Sequence, residues 1–160
     1  MTKTPSRFLL RIAACGLLLG ALPALTGCAS KVGTISFRCG AQINGGLALA
    51  VDVIRATEEE SRKIQEMGEK WFYDQTRFNI QGQNRIQTVT FTTGEGAGAC
   101  DKTVSVPFSK GERFLVLIAD YKFQNPDPTK HVVVLSREKW VGQKILVSVL
   151  ERELAVERRW

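Results

Sequence analysis

Four cysteines, one histidine and two strand-borne aspartates carry most of the chemistry available to this 160-residue chain. Cys28 follows Leu25-Thr26-Gly27. The small residues before it leave the backbone accessible, and its thiol is a nucleophile that can be acylated. Cys15 lies in the apolar stretch before it, which leaves Cys39 and Cys100 as an even pair. In an oxidising compartment these two are expected to form a disulfide closing a loop of about 60 residues, the alternative being two unpaired buried thiols. With the lone His131 they offer no ligand spacing such as C-x-x-C, so no metal is expected. Gly94-Glu95-Gly96-Ala97-Gly98 lacks both the dinucleotide spacing and a following helix, and reads as a flexible hairpin loop. No G-x-S-x-G elbow occurs. His131 opens a Val-rich run without a nucleophile or orienting acid nearby, and reads as a surface or strand-end residue. Asp52 and Asp120 could work as an acid–base pair only if the fold brought them together. The chain is therefore not expected to be an enzyme, and a covalent lipid on Cys28 is the one non-protein group implied.

The residues before Cys28 support that lipid. Lys3, Arg7 and Arg11 form a positive n-region, and Phe8 to Leu22 is almost wholly apolar, too short for a membrane span. Leu25-Thr26-Gly27-Cys28 then resembles the lipobox of bacterial lipoproteins. Cleavage would remove residues 1–27 and leave a lipidated tether, 28–33, ahead of a single domain, 34–160. Ala29, where an Asp tends to retain enterobacterial lipoproteins at the inner membrane, favours the outer membrane and its periplasmic face. Two or more acyl chains make a stable anchor, so no further membrane-binding surface is required. The 22 basic residues lose Lys3, Arg7 and Arg11 to the signal while all 16 acidic ones stay, so the net charge falls from +6 to about +3. Basic residues are interspersed with acids apart from Arg158-Arg159, which is no nucleic-acid footprint.

The elements follow from periodicity. Thr34–Arg38 alternates as a half-buried strand, Cys39 to Gly46 is a loop turning on Asn44-Gly45-Gly46, and Leu47, Leu49, Val51 and Val53 share one parity of a second strand. The period then changes to 3.6. Thr57 and Glu60 fit a capping box, and Ile64, Met67, Trp71 and Phe72 make one apolar stripe of a helix from about 58 to 75. Trp71-Phe72-Tyr73 either pins this helix to its own sheet or faces a partner. Five more strands are expected: 85–93, 103–106, 113–121, 131–135 and 144–151. The run Phe114-Leu115-Val116-Leu117-Ile118-Ala119 is apolar on both parities and should be central and covered on both faces. The sum is mainly β, a two-sheet β-sandwich of about seven strands with one amphipathic helix inserted after the second.

This order of lipobox, two strands, helix and five strands resembles the TssJ-type outer-membrane lipoproteins of type VI secretion systems. Asn44-Gly45-Gly46 stands at the place of that family's Asn- and Gly-containing first loop. Leu49 to Ile54 resembles its valine-rich second strand. Gly111-Glu112 resembles its Pro-Gly-Glu turn, with Lys110 for the proline, and Val116 to Tyr121 and Trp140 resemble the apolar strand and the tryptophan that follow. The resemblance implies a protein that anchors the secretion membrane complex to the outer membrane by binding the periplasmic C-terminal region of its large inner-membrane component. It places the partner-binding loop at Cys39 to Gly46, with Gln42, Ile43, Asn44, Gly45 and Gly46 as its residues. As loop positions, Gln42, Ile43 and Asn44 should tolerate substitution to within roughly half a kcal/mol. The alternatives are an envelope binding or inhibitor module for a peptide, sugar or peptidoglycan, or a structural lipoprotein of another secretion system.

Overall fold

The computed structural model describes residues 32–92, 100–122 and 127–159. The signal segment, Cys28 and its tether to residue 31, and the glycine-rich run 94–98 lie outside them. Among the described residues eight strands form two four-stranded sheets. They are β1 (Val32–Cys39), β2 (Leu49–Ala56), β3 (Ile86–Phe91), β4 (Lys102–Pro107), β5 (Phe114–Ala119), β6 (Val132–Ser136), β7 (Lys144–Val149) and β8 (Leu154–Arg159). One sheet runs β4-β1-β7-β8 and the other β3-β2-β5-β6. Neighbouring strands are antiparallel except β1 and β7.

The sandwich core follows the period-2 pattern. Ile35 and Phe37 of β1, Val51 and Val53 of β2, Leu115 and Leu117 of β5, and Ile145 and Val147 of β7 point into one cluster. Phe37 meets Phe91 edge-on across it at 5.4 Å. The opposite parity of β2 and β5 is apolar too, because a second layer covers it. Ile54, Ala56, Val116 and Ile118 pack under Ile64, Trp71 and Ile80 of the segment between β2 and β3. β5 is thus central and buried on both faces, as its sequence requires.

That inserted segment departs from the expected single helix. α1 (Glu58–Met67) starts with the capping box: the Thr57 amide donates to Glu60 Oε2 at 2.8 Å and the Glu60 amide to Thr57 Oγ1 at 3.2 Å. It ends at Gly68, whose φ of 53° breaks the α-helical path. A 3-10 turn over Gly68–Tyr73 follows, and then α2 (Gln75–Gly82), capped by Asp74 Oδ1 accepting from the Thr76 amide at 2.7 Å. The second departure is β8. Its alternation of Leu154 and Val156 is short and its other residues are mostly charged, so the tail after residue 151 is a paired edge strand that composition obscured.

Strand directions divide the sandwich into two poles. β1 begins at one, beside the ends of β4 and β8, the start of β7, and α3 (Arg137–Trp140) between β6 and β7. Gly33 crosses Trp140 so closely that a Cβ would lie 2.6 Å from its carbonyl oxygen. The ends of β1, β3, β5 and β7 and the starts of β2, β4, β6 and β8 gather at the other pole, with the described loops 40–48 and 150–153.

Candidate partner-binding pole

Asn44, Gly45 and Gly46 adopt φ of 47°, 61° and 85° in succession. This is the left-handed region that Gly enters without strain and Asn tolerates. The tight turn lets Asn44 reach three segments. Its Nδ2 donates to the Ala48 carbonyl at 2.8 Å, its Oδ1 accepts from the Lys122 amide at 2.7 Å, and its backbone amide donates to the Glu151 carbonyl at 3.0 Å. Ile43 is 2% exposed and joins the sandwich core.

The five expected loop residues therefore divide. Ile43 and Asn44 face inward and hold the loop, whereas Gln42, Gly45 and Gly46 are exposed, together with Ala41, Leu47 and Ala48. Mild stability effects are thus restricted to Gln42. Truncating Ile43 creates a core cavity, a change that costs about 2–5 kcal/mol when the side chain is fully buried. Leu47, expected to share the inward parity of β2, instead precedes that strand and is 39% exposed.

Neighbouring segments stiffen the pole. The Tyr121 hydroxyl donates toward the carbonyls of Leu150 (3.1 Å) and Glu153 (2.7 Å), and burial pushes its pKa up. His131 stands at a strand end as expected, but it is buried, not on the surface. Its ring lies 5.0 Å from that of Tyr121, and Nδ1 is 3.6 Å from Glu69. Burial pushes the imidazole pKa down, opposed by Glu69, the Arg152 carbonyl and Asp127. A disulfide joins Cys39 to Cys100 at the same pole, with Cα atoms 5.6 Å apart.

Asp52 is fully buried under the helical layer. Its Oδ2 accepts from Trp71 Nε1 (3.0 Å) and Arg77 Nε (2.7 Å), and its Oδ1 from Thr88 Oγ1 (2.6 Å) and the second Arg77 nitrogen (3.2 Å). Such a closed carboxylate offers nothing to a substrate. Asp120 is close enough to feel it: burial first, then Glu69 and Asp52, raise the Asp120 pKa. The aromatic triplet splits as well. Trp71 is buried on Asp52, Phe72 is half-buried, and Tyr73 is 81% exposed. Sequence reading missed the Asp52 cluster because its partners stand 19, 25 and 36 residues away. The signal available was an aspartate inside an otherwise apolar strand.

Among the described residues no three His, Cys, Asp or Glu side chains converge as a metal site, and no helix is long and apolar enough to cross a membrane. A recess of ≈ 70 Å³ between the sheets at the N-terminal pole is lined in part by Arg55 and Arg85. These are already paired with Glu112 at 3.2 Å and Glu60 at 2.6 Å. The recess is far smaller than ordinary ligand pockets.

No protein-family model matches the sequence, and no curated protein matches it. Solved structures do match in backbone path. A chain of a type VI membrane complex superposes with a TM-score of 0.61 at 16% identity, over 80% of this chain and 98% of that one. The T6SS lipoprotein TssJ1 from Pseudomonas aeruginosa gives 0.58 at 10% identity, covering 80% and 95%. The fold is TssJ-like. Serratia marcescens Lip, a membrane-bound component of the type VI secretion system, gives 0.54 at 13% identity over 81% and 97%. At such identities the likeness lies in the TssJ-like path of strands and inserted helices.

Proposed function

We propose that this protein is a structural lipoprotein of a type VI secretion membrane complex, acylated on Cys28 and held at the periplasmic face of the outer membrane. Its loop pole binds the periplasmic C-terminal region of the large inner-membrane component. The observation that carries this reading is the opposition of the two poles in a TssJ-like fold. Cys28 lies four residues before Val32, where β1 begins, and the first loop follows Cys39, where β1 ends. At about 3.3 Å per residue the eight-residue strand separates tether and loop by roughly 26 Å. A chain held through Cys28 thus presents Ala41 to Ala48 away from its anchor.

The test uses exposed residues that do not hold the fold. Gln42→Arg and Leu47→Asp should leave the melting temperature close to that of the parent and reduce capture of the inner-membrane component from envelope extracts. Tyr73→Ala, on the exposed part of the insertion, should capture normally. Full capture by the loop variants with loss in Tyr73→Ala would move the interface to the insertion and overturn the assignment.

A further inference from the structure

The N-terminal pole carries a concentration of cations that the partner-binding reading does not use. Lys110 and Arg113 stand in the β4–β5 connection, Arg137 and Lys139 in α3, and Lys144 at the start of β7, paired in register with Thr34. Lys110, Arg113, Lys139 and Lys144 are exposed, and Arg137 lies half-buried over the Phe108 ring at 4.5 Å. None of the three lysines has an ion-pair partner among the described residues. Acidic groups here are fewer. Glu112 is half-buried beside Arg55 and Arg85, and Glu138 is the exposed carboxylate of α3. Glu58, Glu59 and Glu60, in the first turn of α1, follow the end of β2 at this same pole, and Glu60 is paired with Arg85. The loop pole, by contrast, mixes Lys122, Lys130 and Arg152 with Asp101, Asp127, Glu151 and Glu153.

We propose that this basic pole seats the domain on anionic phospholipid headgroups of the membrane that holds its anchor. The proposal rests on acylation of Cys28. Four residues from Cys28 to Val32 span at most about 14 Å fully extended. The Debye length at physiological salt is about 8 Å, so the tether keeps these cations within about two Debye lengths of the membrane and lets them reach the layer in which its charge is felt. Gly33 packed on Trp140 fixes the exit of the chain beside Lys139. Seating would restrict tumbling and hold the first loop pointing along the membrane normal.

Lysine footprinting on the acylated full chain tests this. The chain is reconstituted in phosphatidylethanolamine vesicles containing either phosphatidylglycerol or phosphatidylcholine, acetylated under single-hit conditions, and analysed by mass spectrometry. Lys110, Lys139 and Lys144 should react several-fold more slowly on the phosphatidylglycerol vesicles, and high salt should abolish the difference. Lys122 and Lys130 at the loop pole should react alike on both. A chain that floats with both vesicle types but shows equal rates at Lys110, Lys139 and Lys144 overturns the seating and leaves the anchor intact. A chain that floats with neither removes the anchor, and the seating with it.

Discussion

His131 is the residue whose charge state the fold resists most visibly near neutral pH. Its imidazole is 2% exposed against Tyr121, and burial holds its pKa below the ordinary value of about 6.5 despite Glu69, the Arg152 carbonyl and Asp127. As the pH falls, the unfolded chain takes this proton first. The stability contributed by neutral His131 is therefore complete above about pH 6.5 and is lost as the pH falls through the lower, folded-state value. Asp120 runs the other way, because burial together with Glu69 and Asp52 raises its pKa, so its protonated form suits the native state. Comparison with a variant isolates the histidine. Between about pH 7.5 and about pH 5.5 the parent should lose more melting temperature than His131→Gln does. Equal slopes in a thermal melt series would show that His131 is not the sensor.

The inserted element depends on one carboxylate for its seat. Asp52→Ala strands the Arg77 guanidinium and leaves the Trp71 indole N–H without its acceptor, so chemical denaturation should register a loss of about 3–5 kcal/mol. A loss below about 1 kcal/mol would mean that apolar packing of Ile64, Trp71 and Ile80 alone holds the layer. The legibility of these elements depended on whether their cause was local. The capping box of α1 is written within four residues, and the two-faced burial of β5 shows in an unbroken apolar run. Gly68 ended α1 earlier than the apolar stripe suggested, since Trp71 keeps the stripe's direction from within a 3-10 turn. α2 has little apolar periodicity, and β8 is charged enough to pass for a tail. In the candidate loop, Asn44-Gly45-Gly46 announced the turn. The burial of Ile43 and Asn44 depends on Lys122 and Glu151, far along the chain.

At the scale of the molecule the disulfide and the poles act together. Cys39 and Cys100 are 61 residues apart, a closed loop worth about 4 kcal/mol in the chain-entropy account. A Cys39→Ser, Cys100→Ser double variant should therefore unfold at clearly lower denaturant, while the N-terminal pole keeps its Gly33–Trp140 contact and native near-ultraviolet dichroism below the transition. An unchanged midpoint would show that the bridge adds nothing to stability. β1 runs between the two poles, flanked by β4 from Val32 to Phe37 and by β7 from Thr34 to Cys39. The proposed role would place this domain under load between its lipid anchor and its partner. In this fold such a pull, entering at Val32 and leaving through the first loop, runs parallel to a strand that is hydrogen-bonded on both flanks. The ladder is then loaded in shear, so its bonds must yield together and cannot be peeled open one after another.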